Sequence, residues 1–162
     1  MNDYIVNEGH IKSDRSFWGM TISPKRIEVD ALFPSIDVMP DEFDWSVDRL
    51  CGINYMDGSS LWIGFRPNPL SASIDIIGCH TSSAGVVTVT DYCPVNTMTV
   101  ANIIMQVIPE ESVVMMRVNA TRGGYVRKID NTHCEGLGMK VGVKLSKPSP
   151  RGTVVYFKMK TD

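Results

Sequence analysis

No run of apolar residues in this chain approaches the roughly 20 needed to cross a bilayer as a helix. The unbroken apolar stretches, such as Val113 to Met116, end after a few positions, so no transmembrane segment is expected. The first residues, Met1 to Glu8, carry neither a basic flank nor an apolar core, which argues against a cleaved signal peptide. The expected setting is therefore synthesis in the cytosol or release from a longer polypeptide. Cysteine is sparse: Cys51, Cys79, Cys93 and Cys134 include no C-x-x-C pair, which excludes a disulfide-dense scaffold and makes reduced thiols the expectation. No G-x-S-x-G elbow and no diagnostic cofactor motif is present, so no cofactor and no metal are expected.

What remains is 162 residues, 43% hydrophobic and 21% charged, without a low-complexity tract. That composition excludes a disordered or collagen-like chain and fits a single domain over residues 1–162. The apolar pattern has period two. Met139, Val141, Val143 and Leu145 alternate with Lys140, Gly142, Lys144 and Ser146, and Val155, Phe157 and Met159 alternate with Tyr156, Lys158 and Lys160. The intervening 146–153, rich in Ser, Pro and Gly, predicts a hairpin between these two strands. Further strands are predicted at about 17–23, 61–65, 73–79, 86–92, 98–108, 113–118 and 125–129.

Strand centres from Leu61 onward recur without intervening helical patterns, which disfavours a parallel α/β sheet. An all-β chain is predicted: an antiparallel β-sandwich, jelly-roll-like, or a related barrel. One short helix is possible near 41–51, where Phe43, Val47 and Leu50 recur at helical spacing behind Pro40; Phe43, Trp45 and Val47 also fit a strand.

Charge is uneven. Between Glu28 and Asp57 stand eight acids and the single base Arg49, whereas Ser112 to Asp162 holds ten bases and three acids. Such asymmetry can pair like subunits head to tail, or it can reflect two solvated faces of one monomer. Pairing of the terminal strands would gather Lys140, Lys144, Lys158 and Lys160 into a basic row extended by Lys147 and Arg151, suited to an acidic protein surface, a sulfated glycan or phosphate. Lysine rows also protect sheet edges. Tyr156 is the only ring clearly in the row, so specific nucleic-acid reading has little support.

Trp62, between Leu61 and Ile63, would suit a glycan or protein contact if it faces outward; a sandwich more commonly uses such a ring in its core. His80, followed by Ser82 and Ser83, suggests a hydroxyl nucleophile activated by imidazole. If 73–79 and 86–92 form a hairpin, Asp91 sits roughly 20 Å from the loop, too far for a triad. The same pairing puts Cys79 and Cys93 about 23 Å apart, which opposes a shared zinc or a disulfide. Arg122-Gly123-Gly124-Tyr125 reads as a turn and Asn119-Ala120-Thr121 as a chance glycosylation sequon. The expected function is a non-catalytic β-sandwich that contacts copies of itself or a protein or glycan surface. By analogy of fold this leans to a viral protein, a virion shell (capsid), projecting domain or appendage presenting loops to a receptor or glycan. The alternative is a small esterase-like hydrolase using His80 with Ser82 or Ser83.

Overall fold

A computed structural model describes residues 2–7, 12, 17–22, 25–34, 47–68, 70–111, 113–119, 125–128, 136–146 and 153–161. Thirteen strands carry them: β1 (Asn2–Val6), β2 (Phe17–Ile22), β3 (Arg26–Leu32), β4 (Asp48–Tyr55), β5 (Ser60–Asn68), β6 (Ser73–Thr81), β7 (Val87–Val89), β8 (Cys93–Asn96), β9 (Ala101–Ile108), β10 (Val113–Val118), β11 (Tyr125–Lys128), β12 (Leu137–Val141) and β13 (Thr153–Thr161). They form two antiparallel sheets, the first ordered β1-β13-β3-β9-β10-β11 and the second β2-β12-β4-β5-β6-β7, with β8 continuing along β6. The predicted all-β antiparallel sandwich is the observed architecture.

Alternation decides what each strand buries. Ile27, Val29 and Ala31 on β3 and Ile103, Met105 and Val107 on β9 point inward from the first sheet, and Leu61, Ile63 and Phe65 on β5 with Ile74 and Ile76 on β6 answer from the second. Each such aliphatic or aromatic side chain, fully withdrawn from water, contributes about 1.5–3 kcal/mol. Phe33 and Phe65 meet with ring centroids 5.3 Å apart at 45°. Gly78 admits Met105 of the opposite sheet: a Cβ there would lie 3.2 Å from the Met105 sulfur. The whole of β6 except Thr81 is buried.

Three local expectations are corrected. Residues 48–51 of the candidate helix are the start of β4, where Leu50 and Cys51 are buried by sheet pairing; positions 41–46 lie outside the described residues. The terminal hairpin does not form, because β12 pairs with β2 and β4 in the second sheet while β13 pairs with β1 and β3 in the first. Strands β1, β3, β4 and β8 were not among the predicted ones.

Two turns set the ends of the central ladder. Between β4 and β5, the Asp57 carboxylate accepts the Ser59 backbone N–H at 2.8 Å, and Gly58 takes the left-handed φ of 88° that the turn requires. Between β6 and β7, Ser82 Oγ accepts the Val86 N–H at 3.1 Å and Gly85 (φ 84°) completes the reversal.

Gly52 lies where no side chain fits: a Cβ there would overlap the Trp62 Cβ and approach the Leu61 carbonyl to 2.6 Å. Gly52→Ala is expected to lose about 2–3 kcal/mol of stability, measured by urea unfolding. The exposed Lys144→Ala serves as the comparison and is expected to stay within about 0.5 kcal/mol.

Candidate functional site

Facing residues in an antiparallel pair share a side of the sheet. Trp62 pairs with Gly52 on β4 and Cys79 on β6, and Asn54 pairs with Ser60, so these side chains turn away from the core on the second sheet's outer face. Arg49 joins them after a β-bulge between Arg49 and Cys51 that inserts Leu50. Lys144 stands directly across from Arg49, bonded through both backbones at 2.8 and 2.9 Å. Trp62 is thus outward and half-buried, not in the core.

Two hollows open on this face, and Val47 and Trp62 line both. The first, about 320 Å³, is lined further by Arg49, Asn54, Ser60, Lys144, Leu145 and Ser146. Arg49 Nε donates to the Gly142 carbonyl at 2.8 Å, which anchors the guanidinium at the wall. Burial lowers the Arg49 pKa from its ordinary value, opposed by the neighbouring Cys51. The buried Asp48 carboxylate accepts the Ser146 N–H at 2.7 Å and the Ser146 hydroxyl at 3.0 Å, tying the segment that bears Lys144 to β4. The first hollow therefore presents two cations, an amide and hydroxyls beside an indole.

The second hollow, about 390 Å³, is lined by Ile77, Cys79, Val87, Val89, Thr90, Asp91 and Tyr92. Its far wall is made by a bulge. Val89 pairs with Cys79 and Cys93 with Ile76, so Thr90, Asp91 and Tyr92 oppose only Ile77 and Gly78. Thr90 closes the gap: its N–H donates to the Gly78 carbonyl and its hydroxyl accepts the Gly78 N–H, each at 2.9 Å. Tyr92 is thereby set with its ring centroid 3.7 Å from the Arg66 guanidinium carbon. Arg66 Nε in turn lies 3.2 Å from Asp75 Oδ2, and the Asn68 amide donates to the same oxygen at 3.3 Å. Both ion-pair side chains are 8% exposed.

The bulge also revises the distances expected from sequence. His80 pairs with Thr88, so Asp91 lies about three residues, or roughly 10 Å, along the strand from it. Cys93 is likewise about 10 Å from Cys79, not 23 Å, but the two occupy opposite faces, since Cys93 belongs to the core. His80 itself is fully buried on the core side. Ser82 is buried with its oxygen engaged in the turn, and Ser83 is exposed. The structure thus does not bring an exposed imidazole to either serine. No group of three metal-ligating side chains occurs among the described residues.

The basic row is divided. Lys140 pairs with the buried Ile53 and Lys144 with Arg49, on opposite sides of the second sheet. Lys158 and Lys160 lie in the first sheet, across from Asp30 and Glu28. Acidic and basic halves of the chain therefore meet strand by strand within one sheet. Lys147 and Arg151 lie outside the described residues. Sequence reasoning missed Arg49, Asn54, Ser60, Arg66, Asp75 and Tyr92; the signal available was the alternation of Ser60, Trp62 and Arg66 with Leu61, Ile63 and Phe65.

No family model matches the chain, and no curated protein does. Among solved structures it is similar to a polysaccharide lyase of family 18 (13% identity, 99% of this chain and 88% of that one, TM-score 0.49). It is also similar to a family 7 alginate lyase in complex with substrate (11%, 92% and 65%, TM-score 0.48) and to an alginate lyase from Alteromonas (11%, 99% and 79%, TM-score 0.43). At these identities the likeness concerns the fold alone. The expected non-catalytic virion shell, projecting domain or appendage is corrected by these comparisons, whose structures are described as polysaccharide and alginate lyases, and the hydrolase alternative by the burial of His80 on the core side.

Removing one member of the buried pair strands the other, so Asp75→Ala is expected to cost about 3–5 kcal/mol; the double change Arg66→Met with Asp75→Leu should cost clearly less in urea unfolding. Burial pushes the Cys79 thiol from 9.0 up to about 12 and raises Cys51 as well, with Arg49 opposing the latter. The folded state holds the Cys79 proton more tightly than the unfolded chain. This contribution to stability is complete below pH 9 and is lost progressively toward pH 12. In a Cys134→Ser background, a disulfide reagent at pH 8 should label no thiol until denaturant is added.

Proposed function

We propose that the outer face of the second sheet binds an anionic polysaccharide. Trp62 serves as the stacking platform, and Arg49 and Lys144 contact carboxylate or sulfate groups. The observation that carries this reading is the first hollow. An outward indole borders a depression whose other walls supply two cations, the Asn54 amide and the hydroxyls of Ser60 and Ser146. Sugar rings present apolar C–H faces ringed by hydroxyls, so a ligand of this kind needs one aromatic plane and several donors and acceptors around it. The anchored Arg49 offers a planar fork to an anion with little further loss of side-chain freedom. Glycan contact by Trp62 and Lys144 is in keeping with the sequence reading; the hollow adds Arg49, Asn54 and Ser60 to that surface.

Calorimetric titration with polyuronate oligosaccharides and with an uncharged glucan tests this. Wild type is expected to bind the polyuronate, to bind the glucan more weakly, and to lose affinity as salt rises. Trp62→Ala should weaken polyuronate binding about tenfold, and Lys144→Ala about threefold with a shallower salt dependence. Equal affinity for both polymers, or unchanged affinity in both variants, would overturn the reading.

A further inference from the structure

The two hollows differ in chemistry although they share a wall. On the β4 side of Trp62 stand Arg49 and Lys144. On the β6 side the lining is Ile77, Cys79, Val87 and Val89, and Asp91 is the only charged group lining it among the described residues. Adjacent strands lie about 4.8 Å apart, so β4 and β6 are separated by about 10 Å, the length of roughly a disaccharide. A sugar chain crossing β5 would therefore place one unit in each hollow and stack the unit between them on the indole.

We infer that the second hollow accepts a sugar unit carrying a small apolar substituent, in the same chain as an anionic unit held in the first, so that the ligand is a partly substituted acidic polysaccharide. This deepens the proposed function and rests on it. An unsubstituted uronate in the second hollow would exchange its hydration for valine and isoleucine side chains without a cation to replace it. A methyl group there removes apolar surface from water on both sides: Val87 is 60% exposed and Ile77 and the Cys79 thiol form the floor. The Cys79 thiol stays protonated near neutral pH and acts as a small apolar surface at this position. The Arg66 and Asp75 pair fixes Tyr92 at the rim from beneath, so the hollow's outline is set before any ligand arrives.

Calorimetric titration with three sets of uronate oligosaccharides of equal length, unsubstituted, partly O-acetylated and partly methyl-esterified, provides the test. One buried methyl predicts about fourfold tighter binding of at least one substituted set, and the two substituted arms separate an acyl group from an ester. Val87→Asp should abolish that preference and, by adding a like charge beside an acidic ligand, weaken binding of all three sets, whereas the isosteric Val87→Thr should reduce the preference and leave the salt dependence of binding as in wild type. Equal affinity of wild type for all three sets would overturn this inference and leave the proposed function standing. Binding of none would overturn both.

Discussion

The register of β5 between β4 and β6 is the constraint on which the remaining structure depends. With side chains alternating at period two, it sends Leu61, Ile63 and Phe65 into the core and leaves Trp62, Gly64 and Arg66 outside. A slip of one residue would bury the guanidinium among aliphatic side chains and expose three large apolar ones, a reversal costing several kcal/mol from burial alone. The glycines reinforce this choice. A side chain at Gly52 would strike the Trp62 Cβ, and one at Gly64 would approach the Trp62 ring at Cζ3 to 3.0 Å, so the ring is seated by two absences.

The bulges at Leu50 and at Thr90–Tyr92 do the complementary task. Each adds a residue on a strand that borders the Trp62 strand or its neighbour, and each re-aims side chains toward a hollow. The first turns Arg49 outward opposite Lys144. The second lifts Tyr92 over Arg66. Regular ladders would have supplied a flat face; the two irregularities supply depressions with different linings.

Much of the fold was legible because inward-facing residues along β5, β6, β9 and β10 are apolar, many of them β-branched, and the strands are punctuated by turn formers. β3 was not, because its outward row is Arg26, Glu28 and Asp30, whose charges hide the alternation of Ile27, Val29 and Ala31. The false terminal hairpin has an equally physical cause. Alternation fixes which face of a strand is dry but not which strand lies beside it, and β12 and β13 are sent to different sheets. The charge asymmetry misled in the same way: Lys158 and Lys160 find Asp30 and Glu28 as cross-strand neighbours, so charges far apart in sequence are adjacent within the sheet. At the site, Trp62 was visible as a candidate, whereas Arg66 and Asp75 meet only through the β5–β6 register and Tyr92 joins them only through a one-residue bulge that no local pattern announces.

The proposed sugar-binding surface is the outer face of β4, β5 and β6. The most direct measurement is backbone and indole chemical-shift mapping by NMR during titration with a partly substituted uronate oligosaccharide. The Trp62 indole and the amides of Arg49, Asn54, Cys79, Val87 and Lys144 are expected to move, while those of Glu28, Asp30, Asn102, Lys158 and Lys160 on the first sheet are not. Shifts confined to the first sheet, with the Trp62 indole unmoved, would contradict it.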